Sequence, residues 1–309
     1  MAHLICIYQQ LKCIRNFVLR IHNIIAGTRT ISFEFFPPKD TSGMIGVLDK
    51  IKSLKSYSPD FVSITYGAGG STRRFSEELI MQAKAEHDLE VMAHLTCIGH
   101  SADELDAILR RWDKSGIDNI IALRGDFPKD GFLNSNINST FQHASDLIKF
   151  IDENYPFCIG AACYPECHPE SISIEDDLSF TKLKVENGAE FLITQLFYDN
   201  DDFYRFVERA RSQGITVPII PGVLPVLSAK QTRRFTSLCG ARIPSNLAAK
   251  LNKYENDDKS ARAMGVDYAI KQVESLWDYG VCGVHFYVLN RSYSVSKILD
   301  SLKLDRQLI

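Results

Sequence analysis

The sequence predicts a single-domain (β/α)₈ barrel, a TIM barrel, with an N-terminal helical extension. Short apolar runs alternate with amphipathic stretches from Thr30 onward, and eight such strand–helix units are the number that closes a parallel barrel. The runs are almost continuously apolar, which is typical of strands covered on both faces. A chain of 309 residues is also long enough to bury such a core without disulfides or metal ions.

The predicted strands cover residues 31–36, 61–66, 91–97, 119–125, 158–164, 191–197, 217–223 and 283–289. Ser101 and Glu104 have the spacing of a capping box and predict the start of a helix over 101–116. Asp201 and Asp202 predict the start of a second helix over 203–214, which Gly214 ends. The alternative fold is an open doubly wound sheet, which is disfavoured because no G-x-G-x-x-G turn follows the first strand.

Residues 1–29 form a basic extension before the predicted barrel domain of residues 30–309. The extension has no acidic residue, and its apolar residues recur at helical spacing. Its basic residues are Lys12, Arg15, Arg20 and Arg29. Two interpretations remain open, a helix that covers the bottom of the barrel and a mitochondrial transit peptide. The first is favoured because the segment contains no serine, so we expect a cytoplasmic protein, with a mitochondrial one as the alternative.

Charge and cysteine usage limit the possible partners. The formal net charge of -3 gives no global reason to bind nucleic acid or a membrane, so small-molecule partners are expected. The chain has eight cysteines, and most of them stand in apolar runs, where a cysteine behaves as a small hydrophobic residue. Cys163 and Cys167 form a C-x-x-x-C pair without a second pair at zinc spacing. The sequence therefore predicts reduced thiols and no metal centre.

Polar side chains stand within or directly after almost every predicted strand. They are Glu34, Thr65, His94, Arg124, Asp126, Tyr164, His168, Gln195, His285 and Arg291. Any one of them is readily explained as a satisfied core residue, but packing alone does not explain so many. Because a barrel gathers the C-terminal ends of its strands at one mouth, the pattern predicts an active site there.

Glu34 is the most informative single residue. It stands inside the first predicted strand between Phe33, Phe35 and Phe36, so we expect its carboxyl group to be partly desolvated. Desolvation disfavours the charged form of a carboxyl group, which suits a general acid. The alternative is an ion pair inside the barrel, with Arg124 as the partner.

The stretch YGAGGST, residues 66–72, is a glycine-rich turn before a predicted helix, whose backbone N–H groups suit a phosphate. A tight strand–helix turn needs glycine equally, so the signal is weak alone. Arg124, His168 and Lys184 supply positive charge for a pyrophosphate, although Lys184 also fits a solvated helix position. By its pattern alone, Phe235 is predicted to be a core residue.

The ordered strings FEFFPP, VSITYGAGGSTR, HLTCI, IIALRGD, AACYPECHPE, ITQLFYD, IIPGVLPV and FYVLNR resemble methylenetetrahydrofolate reductase in its short bacterial form. The resemblance runs from Thr30 to Arg291. It implies a (β/α)₈ barrel with noncovalently bound FAD that reduces 5,10-methylenetetrahydrofolate to 5-methyltetrahydrofolate with NADH or NADPH. It also implies a role in methionine synthesis and one-carbon metabolism, and a homo-oligomer.

The resemblance implies a role for each matching residue. Glu34 matches the general acid that helps to open the methylene bridge, and Asp126 matches the carboxylate between flavin and pterin. The cofactor-side matches are Thr65, Tyr66, Ala68, His94, Arg124, Gly125, Asp126, Ala144, Tyr164, His168, Asp177 and Lys184. The folate-side matches are Asp126, Gln195, Gln231, Phe235 and Arg291. In this resemblance Phe235 stacks on the substrate, which is a different role from the core position that its pattern predicts.

The chain departs from the family pattern at one end of the expected cofactor site. Phe180 and Leu183 stand where some members place an Asn and an Arg, and His143 stands where a Tyr is common. We therefore expect different contacts to the adenosine part of FAD. The sequence ends at Ile309, so the S-adenosylmethionine-sensing domain of eukaryotic relatives, and inhibition by that ligand, are not expected.

Two other functions fit parts of the pattern. A metal-dependent barrel hydrolase would use His94, His168 and Asp126, but the first predicted strand lacks an H-x-H pair. A non-catalytic flavin- or folate-binding barrel is disfavoured by Glu34, because binding alone gains little from a buried acid.

Overall fold

The computed structural model describes residues 20–66, 70–87, 89–126 and 141–302. The strands are β1 (Thr30–Phe35), β2 (Phe61–Ile64), β3 (Val91–Thr96), β4 (Asn119–Leu123), β5 (Cys158–Cys163), β6 (Phe191–Thr194), β7 (Ile219–Ile220), β8 (Gly222–Val223) and β9 (Gly283–Tyr287). The helices before the sixth strand are α1 (Ile21–Gly27), α2 (Thr41–Lys55), α3 (Gly70–His87), α4 (Ala102–Lys114), α5 (Ala144–Asn154) and α6 (Ile174–Glu186). Those after it are α7 (Asn200–Ser212), α8 (Ala229–Cys239), α9 (Ser245–Lys253), α10 (Asp258–Tyr279) and α11 (Ser292–Ser301).

The strands form one parallel sheet in the order β7-β6-β5-β4-β3-β2-β1-β9-β8. The sheet closes on itself because β7 and β8 are two halves of the seventh barrel strand, which bends at Pro221. The first half pairs with β6 and the second half pairs with β9. Pro221 has no N–H group to donate, but its carbonyl oxygen accepts a hydrogen bond from His285 N at 3.0 Å. The predicted barrel is confirmed and the open sheet is excluded, whereas the seventh strand is shorter and more broken than predicted.

The helix starts follow local capping chemistry. Ser101 Oγ accepts from Glu104 N at 3.2 Å and Glu104 Oε2 accepts from Ser101 N at 2.8 Å, so the predicted capping box begins α4. The prediction for α7 was wrong by two residues. Asp199 is its N-cap and accepts from Asp201 N, while Asp201 and Asp202 lie in the first turn. Carboxylates are favourable there as well, because they face the positive end of the helix dipole.

Helix α1 lies at the N-terminal ends of the strands. Its Ile21 and Ile25 are buried in one cluster with inward-facing residues such as Phe61 and Met92, so the helix covers the bottom of the barrel interior. Residues 1–19, on which the transit-peptide interpretation mainly depends, lie outside the described residues. Within the described chain, no helix is both long enough and apolar enough to span a bilayer.

Gly222 is the position at which the broken strand tolerates no side chain. A Cβ atom there would lie 2.4 Å from Thr194 O and 2.6 Å from the Tyr287 ring. We expect Gly222→Ala to lower the free energy of unfolding by about 1–3 kcal/mol, because the neighbouring strands must move apart. Urea unfolding measures the change.

The matched control for this substitution is Gly46→Ala in α2, where a Cβ atom would meet nothing within 4 Å. An alanine inside an exposed helix should be neutral or stabilise the protein by up to about 1 kcal/mol. Equal behaviour of the two variants would mean that the close packing at Gly222 is not a constraint.

Candidate active site

A cavity of about 1080 Å³ opens at the C-terminal ends of the strands. It is lined by most of the residues that the sequence singled out: Glu34, Thr65, Tyr66, His94, Arg124, Gly125, Asp126, Ala144, Tyr164, His168, Asp177, Lys184, Gln195 and Phe235. Parallel strands deliver these side chains to one place because their carboxyl ends share one rim of the barrel. The size and the mixed polar and apolar lining are those of a site for a large organic ligand.

Three of the predicted site residues are not placed in this lining. Ala68, with residues 67 and 69 of the glycine turn, lies outside the described residues. Gln231 is half-buried in the first turn of α8, where its backbone N–H donates to Ser228 Oγ. Arg291 is exposed at the N-cap position of α11. The expected folate contacts of Gln231 and Arg291 therefore stay predictions.

Glu34 lies deep in the cavity and is 8% exposed. The expected desolvation is present, but its cause differs from the one inferred from the sequence. Adjacent residues of a strand point to opposite faces, so Phe33 and Phe35 pack in the outer core against the helices. The groups that enclose the Glu34 carboxylate inside the barrel are instead His94 and His285. Their Nε2 atoms lie 3.5 Å and 3.8 Å from Glu34 Oε2.

The suggested ion pair between Glu34 and Arg124 was wrong. Arg124 forms a two-pronged contact with Glu170 instead, in which Nη2 donates to Oε1 at 2.9 Å and Nη1 donates to Oε2. The contact with Glu170 raises the pKa of Arg124. It holds the guanidinium at the rim of the cavity, whereas Glu34 lies deep in the barrel.

His94 is uncharged at neutral pH. Burial lowers its pKa to about 4, although the nearby Glu34 carboxylate opposes the shift. The 3.5 Å contact between the two groups is therefore not an ion pair at pH 7. His94 Nε2 is a buried atom without a hydrogen-bond partner among the described residues. A buried polar group of this kind normally finds a partner, so this nitrogen is available to a bound molecule.

Tyr287 is a site residue that the sequence reasoning missed, and His285 was named among the strand-end polar residues without a role of its own. His285 Nδ1 lies 2.7 Å from Ser32 Oγ and His285 Nε2 lies 3.2 Å from Ser63 Oγ. Tyr287 donates a hydrogen bond to Thr194 O at 2.6 Å, and burial followed by the Glu34 charge raises its pKa well above the ordinary value. Both side chains line the cavity. Their alternation in GVHFYVL was the available signal, because residues two apart in a strand share one face.

A cationic end of the cavity is built around Lys184. Its Nζ donates to Ala162 O at 2.9 Å, and burial lowers its pKa. Asp177 accepts from the backbone N–H of His168 at 3.2 Å. The His168 ring meets the ring of Tyr164 edge-on, with 4.7 Å between the centroids. Lys184 is thus part of the cavity wall, and the alternative interpretation as a solvated helix lysine was wrong.

The departures from the family pattern lie near this same end. The ring of His143 stacks on Phe180 with centroids 6.1 Å apart and 25° between the planes. Phe180 is 42% exposed, Leu183 is 39% exposed and Ile172 is 94% exposed. Phe180 and Ile172 line the cavity, so apolar surface stands at this part of its mouth.

Phe235 is half-buried on α8. It packs against a buried cluster that contains Leu196, Leu224 and Val226, and it also lines the cavity. The packing agrees with the core position that the pattern predicts, and stacking of Phe235 on a substrate stays a prediction.

Comparison with known proteins identifies the family. The family model described as methylenetetrahydrofolate reductase matches residues 20–303. The chain is 38% identical to 5,10-methylenetetrahydrofolate reductase of Escherichia coli over 278 residues, which cover 89% of this chain and 92% of that protein. It is 35% identical to methylenetetrahydrofolate reductase 1 of Schizosaccharomyces pombe and 36% identical to methylenetetrahydrofolate reductase (NADH) 1 of Arabidopsis thaliana. The matches cover 89% and 90% of this chain, which spans about half the length of those two relatives, 46% and 49% respectively.

A solved structure shares the fold. It is an uncharacterized protein from Clostridium thermocellum described as binding two copies of 5-methyl-5,6,7,8-tetrahydrofolic acid. The TM-score is 0.62 at 16% identity, and the match covers 90% of this chain and 95% of that one. At this identity the likeness concerns the barrel alone. The family model and the Escherichia coli relative, each of which extends over most of the chain, show that this protein belongs to the methylenetetrahydrofolate reductase family.

Proposed function

We propose that this protein reduces 5,10-methylenetetrahydrofolate to 5-methyltetrahydrofolate, with FAD bound noncovalently and NADH or NADPH as the reductant. The observation that carries the proposal is Glu34, a carboxyl group buried at the floor of a large cavity beside an uncharged His94. A chain of this family with that group can supply the proton that the folate needs. When bound, FAD would accept hydride from the nicotinamide and pass it to the folate carbon.

The described residues fit FAD in two respects. Ala144 and Ser145, at the N-terminal end of α5, line the cavity, and Lys184 stands in the same wall. A helix N-terminus and a lysine together suit a pyrophosphate. At the other end, the unpartnered His94 Nε2 needs a polar partner, which the edge of a flavin ring can provide.

In this proposal the side chains of the protein position the folate and transfer the proton. Glu34 would donate a proton to a folate nitrogen as the methylene bridge opens. His94 and His285 flank the carboxyl group and exclude water from it. Asp126, exposed at the cavity rim, would contact the pterin, and Gln195 and Phe235 would hold the folate as well. The folate ligand named for the Clostridium thermocellum barrel supports a folate as the ligand of this chain.

The metal-hydrolase alternative loses its geometric basis. Among the described residues, the group of donor atoms at metal-binding distance is His22, Cys158 and Glu190, at the opposite end of the barrel. His94, His168 and Asp126 form no such group. The choice between NADH and NADPH, the oligomeric state, the link to methionine synthesis and the cytoplasmic location stay predictions.

We expect the purified protein to be yellow and to release its flavin on denaturation. The reason is that the cavity offers charge and hydrogen-bonding groups to FAD, and the proposal includes no covalent link. Visible spectra before and after acid precipitation, with the supernatant analysed by chromatography, measure this. Colourless protein that takes up no FAD on reconstitution would refute the proposed cofactor, and flavin that stays with the pellet would refute noncovalent binding.

A further inference from the structure

A second group of chemically active side chains lies at the bottom of the barrel, away from the cavity. It consists of His22 on α1, Cys158 at the start of β5 and Glu190 just before β6. One donor atom from each residue lies within 4.8 Å of the other two. The residues are 136 and 32 positions apart along the chain, so no sequence spacing reveals the group.

The backbone fixes the positions of all three residues. The backbone N–H of Glu190 donates to Ile159 O at 2.8 Å. The backbone N–H of Ile159 donates in return to Glu190 Oε1 at 3.3 Å. His22 is held by the docking of α1, in which the backbone N–H of Ile21 donates to Asn119 Oδ1 at 2.8 Å. Preorganised donors of this kind lose little freedom when they bind an ion.

Two of the three separations between the donor atoms can be compared with those of a tetrahedral metal site, and the third is at most 4.8 Å. Zinc bonds of about 2.3 Å to sulfur and about 2.0–2.2 Å to nitrogen or oxygen place neighbouring donors roughly 3.4–3.6 Å apart. Cys158 Sγ lies 3.5 Å from His22 Nδ1, which already fits. His22 Nδ1 and Glu190 Oε2 are 2.7 Å apart, a hydrogen-bond distance that must open by roughly 0.7 Å around an ion.

We propose that His22, Cys158 and Glu190 bind a zinc ion. A thiolate, an imidazole and a carboxylate are the ligand types that zinc accepts, and thiolate and carboxylate together balance its charge. The side chains of His22 and Glu190 are 28% and 30% exposed, which leaves a path from solvent and room for water as a fourth ligand. Arg20 Nη1, 3.9 Å from Glu190 Oε2, works against a cation and limits the affinity.

The position of the site defines its role. One ligand belongs to the helix that covers the barrel, and two belong to the barrel itself. Zinc bound there joins α1 to β5 and β6 at the end opposite to the cavity. The ion therefore stabilises the fold and takes no part in the chemistry at Glu34.

The test is a titration of the chelator-treated full-length chain with Co²⁺, followed by competition with Zn²⁺. We expect one equivalent of Co²⁺ to produce visible bands together with the near-ultraviolet charge-transfer band of a single thiolate. His22→Ala and Cys158→Ser should each weaken binding by at least about 100-fold, because loss of even an outer-shell partner of a metal costs 10–100-fold. Zinc should raise the Tm of the natural chain and leave the Tm of both variants unchanged.

The control is Cys282→Ser, which removes another thiol from the same end of the barrel, one that contacts Ile219 O. This variant should bind Co²⁺ like the natural chain. His22 is half-exposed on a helix, so His22→Ala keeps the test decisive even where Cys158→Ser folds poorly. Absence of the thiolate band from the natural chain, or undiminished binding by His22→Ala, would overturn the proposal. Neither result bears on the proposed reductase activity.

Discussion

Glu34→Gln should lose the folate half of the proposed reaction and keep the nicotinamide half. Glutamine preserves the shape of the side chain, but its amide group is too weak an acid to give a proton to a folate nitrogen. Reduction of flavin by a nicotinamide needs no acid from the protein. We therefore expect NADH or NADPH to bleach the flavin absorbance at a near-normal rate. Reoxidation by methylenetetrahydrofolate should slow by at least about 10²-fold, the lower end of general acid catalysis. Stopped-flow absorbance measures the two half-reactions separately.

A matched control for this substitution is Glu90→Gln. Glu90 is also a buried carboxyl group, 9% exposed, but it lies at the start of β3, where it accepts from Asn119 at 2.7 Å. Burial raises its pKa to about 7, so a neutral amide resembles its protonated form. This variant should keep both half-reactions. Equal losses in both half-reactions of Glu34→Gln would mean a structural role for Glu34, and normal folate turnover would place the acid elsewhere.

Lys184→Met should weaken FAD binding without destabilising the FAD-free protein. A hydrogen bond to a charged group contributes about 1.5–3 kcal/mol, which corresponds to roughly 10–100-fold in Kd. In the FAD-free protein burial disfavours the charge and lowers the pKa of Lys184, which offsets the gain from its hydrogen bond to Ala162 O. A methionine of similar length should leave its Tm unchanged or higher. Quenching of flavin fluorescence on titration with FAD-free protein gives the Kd.

Lys182→Met is the control for the Lys184 substitution. Lys182 lies two residues earlier on α6, with its side chain 44% exposed and 3.8 Å from Glu186. It is absent from the cavity lining, so its removal should leave the Kd of FAD unchanged. The same Kd in both variants would show that Lys184 does not contact the cofactor. A lower Tm of FAD-free Lys184→Met would show that the lysine acts through stability.

The sequence allowed the barrel to be predicted because its signals are local. Apolar runs of strand length, separated by amphipathic stretches with recognisable starts, specify strand–helix units without reference to the rest of the chain. The same local signals identified the capping box at Ser101 and the polar residues at the strand ends. These local signals did not predict the break in the seventh strand, which Pro221 splits. They also did not predict the start of α7, which Asp199 caps rather than Asp201.

Most of the residues that the sequence singled out line the cavity, but the partners of those residues could not be predicted from the sequence. Glu34 was selected for its phenylalanine neighbours, yet the rings of Phe33 and Phe35 face the helices. The side chains of His94 and His285 face the carboxylate instead. Arg124 was suggested as the ion-pair partner of Glu34, yet it binds Glu170. Both errors have the same cause. Closure of the barrel brings together side chains from strands that are far apart in the sequence, and the sequence does not show which of them meet.

By itself, the sequence determined the fold class, the family and the end of the barrel at which polar groups gather, because these depend on periodicity and on the order of motifs along the chain. Only the tertiary structure decided which charges meet, which histidine is neutral and which groups share the bottom of the barrel. Those properties depend on distance and burial, which arise when strands separated by tens or hundreds of residues become neighbours. The grouping of His22, Cys158 and Glu190 is of this second kind, since it exists only once α1 docks against β5 and β6.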